Sequence, residues 1–213
     1  MKINQRLPNL FLLQILFLIA AFLLITAHSV FGSEPEPVRS GQESPSAQTS
    51  KRMDSIIRLH SEKIQKWVTA PEIVNSVKQQ NELNMPLAEI KEIDQKWISG
   101  INNDFALSLQ ENTAGCFLKD KLLANRIASD LYVESFLCDQ NGAVVGEYPK
   151  TTDYWQGDED KFIKSYNDGA GRLFIGPLIF DDSTRTYSVQ ISIPVKDGER
   201  TIGVLIVGLR NIK

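Results

Sequence analysis

The stretch that decides the fold is YSVQISIPV at residues 187–195, followed by KDGE at 196–199 and TIGVLIVGL at 201–209. In the first segment the odd-numbered positions are apolar, and the even-numbered positions are Ser, Gln, Ser and Pro. This alternation is typical of a β-strand with one buried face. The apolar last segment predicts a second strand, and the glycine-containing tetrapeptide predicts a tight turn between them. Because so short a loop cannot join parallel neighbours, the two strands are predicted to pair antiparallel.

Three further strands are predicted upstream. Residues 132–138 form a short apolar run, Asp139-Gln140-Asn141-Gly142 reads as a turn, and residues 143–147 return as the partner strand of a hairpin. Residues 173–180 are predicted to form one more strand. Gly203 and Gly208 lie inside the last strand, where glycine often marks the close approach of another backbone or a ligand. The sequence therefore predicts a sheet of roughly five antiparallel strands.

The first half of the chain has a helical period instead. Between Met53 and Val68 the apolar residues recur at steps of three and four, which indicates one amphipathic helix. Pro71 suits the first turn of a second helix, and residues 87–97, 105–109 and 117–127 also have helical patterns. Residues 151–166, which are polar and aromatic, are predicted to form short helices. The predicted fold class is α+β, with long N-terminal helices packed on the sheet.

The N-terminus has the pattern of an export signal. Lys2 and Arg6 precede an apolar run from Leu10 to Ala27, and small residues follow it. This pattern predicts a secretory signal peptide or an uncleaved membrane anchor over residues 1–32. Residues 33–50, rich in Ser, Glu, Gln and Pro, are predicted to be a flexible linker, which leaves residues 51–213 for the folded domain. The protein is expected to be exported, either to the periplasm or anchored to the outer face of the cytoplasmic membrane.

Composition excludes some functions. The formal net charge is −3, and no basic surplus points to a nucleic-acid partner. His60, read as a solvated helix residue, is the single imidazole beyond the leader, so a nucleophile activated by histidine is not predicted. Acids 158–160 suit the first turn of a helix, and Asp181-Asp182 suit a turn, so no metal site is predicted. We expect a non-enzymatic protein without a cofactor.

Cys116 and Cys138 are the two cysteines of the chain. In an oxidising compartment they could form a disulfide. The alternative is that they are two separate small apolar residues, which fits Cys138 at the end of a predicted strand. Both alternatives are open at the level of sequence.

The order of elements, namely helices, a hairpin, a helical insert and three more strands, resembles the extracytoplasmic Cache (PAS-like, PDC) sensor domains. The local sequence is also similar, in the segments TTDYWQGDE at 151–159, FIG at 174–176 with FDDS at 180–183, and VQISIPV at 189–195 with IGVL at 202–205. The resemblance implies a sheet with the long N-terminal helix on one side and a ligand cavity on the other. It also implies a sensory domain that binds a small molecule.

The site expected in such a cavity combines the polar face of the strand at 187–195 with the aromatic insert. Adjacent Tyr and Trp offer flat apolar walls with hydrogen-bonding edges. The predicted ligand-binding residues are Asp153, Tyr154, Trp155, Phe174, Tyr187 and Gln190. The alternative is that the polar face is solvated and that the aromatic residues only pack the insert onto the sheet.

Such a sensor would need a partner protein to transmit its signal. The chain ends at Lys213, four residues after the last predicted strand residue, and we therefore expect no effector domain of its own. The signal is expected to pass through a membrane receptor or a second copy of the chain. The alternative function is an envelope scaffold or protein-interaction module whose pocket is degenerate.

Overall fold

The computed structural model describes residues 45–101, 103–128, 130–181 and 186–210. The predicted signal or anchor and residues 33–44 of the predicted linker lie outside these ranges. Within the described ranges, no helix combines the length and apolarity needed to cross a membrane.

The described residues form an α+β fold, as predicted. The helices are α1 (Pro45–Ile64), α2 (Pro71–Glu82), α3 (Leu87–Ile98), α4 (Asn103–Glu111), α5 (Thr113–Ala128) and α6 (Asp160–Tyr166), with a 3-10 turn at Asn167–Gly169. The strands are β1 (Tyr132–Cys138), β2 (Val144–Tyr148), β3 (Phe174–Ile175), β4 (Ile179–Asp181), β5 (Thr186–Asp197) and β6 (Arg200–Arg210).

The strands form one antiparallel sheet in the order β2-β1-β6-β5-β3, with β4 also paired to β5. Both predicted tight turns are confirmed. Gly142 has φ +83 in the β1–β2 turn and Gly198 has φ +61 in the β5–β6 turn, conformations that L side chains rarely adopt.

The strand predicted over residues 173–180 is wrong as a single element. It is split into β3 and β4, and Gly176-Pro177-Leu178 separate them. Pro177 has no N–H to donate to a ladder, which is why proline interrupts edge strands. Within the described residues the sheet therefore has six strands, in agreement with the roughly five that were predicted.

Alternation along β6 places two cores on opposite faces of the sheet. Leu205, Val207 and Leu209 belong to the first core, which is closed by α1, α2 and α5. Val204 and Ile206 belong to the second core, which is closed by α3, α4 and the segment that follows β2. The long first helix thus lies on one side, as the resemblance implied, but helices also cover part of the other face.

The first helix differs from its prediction at both ends. It begins at Pro45, so residues 45–50 of the predicted linker are helical, and it ends at Ile64. Trp67 and Val68 follow in a turn and are both 6% exposed, because they pack into the first core.

His60 is not the solvated residue that the sequence indicated. Its Nδ1 lies 2.6 Å from the hydroxyl of Tyr132, and the two rings meet edge to face at 5.3 Å. Burial, and secondarily the charge of Lys63, lowers the pKa of His60.

The two cysteines are both free. Cys138 is buried in the second core, which is the small apolar role expected of it, and Cys116 is exposed on α5. The disulfide alternative is therefore wrong for this structure.

Candidate functional site

A cavity of about 330 Å³ lies on the second face of the sheet. Its floor is formed by β1 and β5, one wall by the segment after β2, and a second wall by β4. The residues that line it are Glu134, Phe136, Pro149, Lys150, Thr151, Thr152, Gln156, Glu159, Lys161, Ile179, Phe180, Ser188 and Gln190. This size is at the lower end of the range for small-molecule sites.

The packing of the cavity floor depends on a glycine. Gly208 of β6 is the register partner of both Glu134 on β1 and Gln190 on β5. Over this glycine, Gln190 Nε2 donates a hydrogen bond to Glu134 Oε1 at 2.8 Å. A Cβ at position 208 would lie 2.7 Å from Glu134 Cγ, so the carboxylate occupies its present place only because this residue is glycine.

Charges of both signs line the cavity. Glu134 and Glu159 supply carboxylates, and Lys150 and Lys161 supply ammonium groups. The Nζ of Lys161 lies 5.4 Å from the ring centroid of Phe136, over the apolar part of the floor. An arrangement with two groups of each sign can accept a ligand that carries opposite charges or several hydrogen-bonding groups.

Gln156 places a buried acceptor without a partner beside this wall. The residue is 1% exposed, and its Nε2 donates to the carbonyl oxygen of Asp153 at 2.7 Å. That bond fixes the orientation of the amide, because only the NH₂ group can donate. Gln156 Oε1 is buried and accepts no hydrogen bond from the described residues. A buried acceptor without a partner is unfavourable, and such groups are rare away from functional sites.

Helix α3 holds the cavity wall in place from behind. Asp94 Oδ1 accepts hydrogen bonds from the backbone amides of Tyr154 at 2.8 Å and Trp155 at 3.0 Å. Trp97 Nε1 donates to the carbonyl oxygen of Thr151 at 2.9 Å. The irregular segment after β2 is therefore positioned by two side chains of a regular helix.

A buried carboxyl group fixes the start of the same wall. Glu147 is fully buried, and its Oε2 accepts a hydrogen bond from the amide of Thr151 at 2.8 Å. The Thr151 hydroxyl, which donates to the carbonyl oxygen of Asp153, also lies 2.8 Å from this carboxyl oxygen. Burial raises the pKa of Glu147 to about 7, against the lowering effect of its contacts with Thr151. The protonation of Glu147 is thus linked to a residue that lines the cavity.

Of the six predicted site residues, Gln190 lines the cavity. Asp153 adjoins it through its backbone, because its carbonyl oxygen accepts from Gln156 and Thr151. Tyr154 is fully buried in the second core, where its ring packs 5.6 Å from Trp97.

The other three predicted residues lie outside the cavity lining. Trp155 donates from Nε1 to the carbonyl oxygen of Asn141 at 2.9 Å. Phe174 lies under the ammonium group of Lys164, and Tyr187 is half exposed beside Phe180. The insert contributes its neighbouring residues to the cavity instead, at positions 149–152, 156, 159 and 161.

Sequence reasoning missed Glu134, although a signal was present. Glu134 is the single charged residue in the strand YVESFLC, and its neighbours Tyr132 and Phe136 are both buried. A lone carboxylate in an otherwise apolar strand indicates a polar site on one face. Gln156 and Lys161 had no comparable signal, since each lies in a polar segment.

No family model matches the chain, and no curated protein sequence matches it. Several solved structures do match the chain. An extracellular ligand-binding receptor from Desulfohalobium retbaense is 14% identical over 66% of this chain, with a TM-score of 0.36. The ligand-binding domain of the Campylobacter jejuni chemoreceptor Tlp3, solved with 4-methylisoleucine, is 17% identical over 68%, with a TM-score of 0.35. The sensor domain of the Vibrio cholerae histidine kinase DctB is 12% identical over 78%, with a TM-score of 0.32.

These neighbours are receptor and sensor domains. The match spans 24%, 62% and 57% of their respective chains.

Proposed function

We propose that this chain is an exported sensory domain that binds a small molecule in the cavity floored by Glu134 and Gln190. The observation that carries the proposal is the cavity lining, in which charges of both signs converge beside the buried acceptor Gln156 Oε1. Convergent polar groups in a concave site are the usual mark of a small-molecule site.

A binding role suits this lining better than a catalytic one. Its polar residues are glutamates, lysines, glutamines, serine and threonines, with no imidazole or thiol among them. A hydroxyl nucleophile needs an adjacent base to activate it. Both carboxylates are better explained as ligand-holding groups, and Glu134 already accepts a hydrogen bond from Gln190.

Export and signalling complete the proposal. Residues 1–32 act as a signal peptide or an anchor, and the signal passes to a membrane receptor or to a second copy of the chain. N-terminal sequencing of protein from the cell envelope separates the two roles of the leader. A start near Ser33 means cleavage and a retained Met1 means an anchor, whereas recovery from the cytoplasm alone would contradict export.

A thermal-shift screen of the full chain against amino acids, organic acids and amines tests the binding role. A compound present at 100 times its Kd stabilises the native state by about 2.7 kcal/mol, which corresponds to a rise in Tm of roughly 5–10 °C for a domain of this size. If no compound of these classes raises the Tm, the binding proposal loses its support and the scaffold alternative gains it.

A pair of lysine variants then locates the site. Lys161 lines the cavity. Lys164 lies one turn along the same helix, pairs with Asp160 and is not part of the cavity lining. Lys161→Met should abolish or strongly reduce the shift produced by a compound that carries an anionic group, and Lys164→Met should leave it unchanged. Equal shifts in both variants would place binding elsewhere.

The scaffold alternative also has an observation in its favour. A row of large apolar side chains is exposed along the outer edge of the sheet. Such a row indicates a protein-binding surface.

A further inference from the structure

Three oxygen atoms meet at the start of the cavity wall. The hydroxyl oxygen of Thr151 lies 2.7 Å from the carbonyl oxygen of Asp153 and 2.8 Å from Oε2 of Glu147. A threonine hydroxyl has one proton to donate, and a backbone carbonyl oxygen has none. If both short contacts are hydrogen bonds, the second proton must therefore be carried by the carboxyl group of Glu147.

The neutral acid satisfies both contacts. Glu147 Oε2 then donates to the Thr151 oxygen, and Thr151 donates to the carbonyl oxygen of Asp153. The carboxylate cannot do so, because it only accepts and, as a charged acceptor, competes for the hydroxyl proton. The Thr151 and Asp153 oxygens would then face each other at 2.7 Å without a proton between them, and they would have to move apart. The two short contacts are therefore the geometry of a neutral Glu147.

The position of Glu147 favours this neutral form. The residue is fully buried on β2, where its register partner is Phe136 of the cavity floor. Burial is the largest effect on its carboxyl group and raises the pKa to about 7. The contacts with Thr151, the ammonium group of Lys150 and the side chain of Gln110 on α4 act in the opposite direction.

Other titratable groups lie on the elements around this corner of the cavity. They are Cys138 at the end of β1, Asp139 after it, Asp94 of α3, Lys119 of α5 and Lys161 of α6. Burial keeps the Cys138 thiol neutral, and the two aspartates accept hydrogen bonds from backbone amides of other residues. Lys161 lies over the ring of Phe136, and Lys119 lies over the ring of Tyr148. Within the described residues, the carboxyl group that touches Thr151 is that of Glu147.

The contacts of Thr151 and Asp153 carry a change at Glu147 into the cavity. Thr151 lines the cavity, and its carbonyl oxygen accepts a hydrogen bond from Trp97 Nε1 at 2.9 Å. The carbonyl oxygen of Asp153 also accepts from Nε2 of Gln156, at 2.7 Å, and Gln156 lines the cavity as well. Separation of the Thr151 and Asp153 oxygens would therefore move two lining residues relative to each other.

We propose that Glu147 is a proton switch for the cavity wall, and that the cavity keeps its present shape only while this residue is neutral. Ionisation turns the Thr151 hydroxyl toward the carboxylate and away from the carbonyl oxygen of Asp153. The switch deepens the proposed function and rests on it, since the cavity that it controls is the proposed binding site. Because the neutral form holds the wall, the affinity of the cavity for a small molecule falls as the pH rises and Glu147 ionises.

A ¹H–¹⁵N NMR titration of the full chain without added ligand, from pH 5.5 to pH 8.5, tests the switch. The indole N–H of Trp97 is the reporter, because it donates to the carbonyl oxygen of Thr151. In the wild type its signal should move with a midpoint near pH 7, at the pKa of Glu147. Glu147→Gln should remove this transition, because an amide does not titrate. A wild-type signal that stays still around pH 7, or a transition that survives in Glu147→Gln, would overturn the proposal.

A pair of variants at Thr151 separates the switch from a direct effect of charge. Thr151→Ser keeps the hydroxyl and Thr151→Ala removes it, while both keep the backbone groups that bind Glu147 and Trp97. The serine variant should retain the transition, and the alanine variant should lose at least about half of its amplitude, since no hydroxyl passes the change to Asp153. Full amplitude in the alanine variant would mean that Trp97 senses the charge of Glu147 directly, which would refute the switch. Equal losses in both variants would refute it as well.

The switch and the binding proposal are tested independently. None of the NMR measurements contains a small molecule, so a wall that does not respond to pH would leave the binding proposal intact. A thermal-shift screen without a hit would remove the binding role and leave the response of the wall to protons as it was measured.

Discussion

Gln190 and Glu134 meet over Gly208, with 2.8 Å between Gln190 Nε2 and Glu134 Oε1. The two side chains come from β5 and β1, which are not neighbours, because β6 lies between them. The absence of a side chain on the middle strand is what lets them touch. The floor of the cavity therefore depends on three strands and on one glycine.

Replacing this glycine should disturb the floor. In Gly208→Ala the new Cβ would lie 2.7 Å from Glu134 Cγ and 2.9 Å from its Oε1, so the glutamate would have to move. We expect the free energy of unfolding to fall by about 1–3 kcal/mol, as for other overpacked sites. Urea denaturation measures the change.

Gly176→Ala is the matched control for this substitution. A Cβ there would meet its nearest atom, the carbonyl oxygen of Gln190, at 3.5 Å, an ordinary contact. Its stability should stay within about 0.5 kcal/mol of wild type, as for neutral surface changes. Equal losses in the two alanine variants would contradict the role given to Gly208.

Asp94 should be needed to hold the cavity wall. Asp94→Ala removes the acceptor of both the Tyr154 and Trp155 amides, and we expect a loss of about 2 kcal/mol. Asp94→Asn keeps an oxygen at the same position and should lose less than about 1 kcal/mol. Denaturation curves of the two variants give the comparison, and an alanine variant as stable as wild type would show that the segment is held by other contacts.

Stability should depend on pH through Glu147. Its folded pKa of about 7 lies above its ordinary value of 4.5, so the native state binds the extra proton between these values. Stability is then fully present below about pH 4.5 and is lost as the pH rises through 7, by on the order of 3 kcal/mol. Asp139, whose pKa burial raises to about 6, adds to the same trend.

Glu147→Gln tests this assignment, because the amide keeps an oxygen for Thr151 and does not titrate. Unfolding free energies at pH 5 and pH 8 should differ less in the variant than in the wild type. Glu159→Gln, at an exposed position, should keep the wild-type difference. An unchanged slope in Glu147→Gln would assign the pH dependence to other groups.

His60 should titrate below its ordinary pKa of 6.5. Burial disfavours the imidazolium, and the Lys63 ammonium adds a smaller repulsion. A ¹H–¹³C NMR titration of the full chain gives the value directly. Lys63→Met should move the pKa only part of the way back, since burial is the larger cause. A wild-type pKa above 6.5 would mean that the contact with Tyr132 favours the charged ring.

Sequence patterns were sufficient to predict the elements whose conformation depends on neighbouring residues in the chain. The alternation over 187–195 predicted β5, and the turns at Gly142 and Gly198 were located because a positive φ favours glycine. The helical first half followed from apolar spacing. The split of the third strand at Pro177 was readable in principle, because proline has no N–H for the ladder.

The site depended on tertiary structure. The sequence by itself determined that β5 has a polar face and that Gln190 lies on it, since side-chain direction follows from a period of two. Only the tertiary structure decided what meets that face. The strand order brings Glu134 within reach of Gln190, and α3 turns Tyr154 into the core while Gln156 reaches the cavity. These are long-range pairings, and a local pattern carries no information about which distant residue fills the opposite side of a contact.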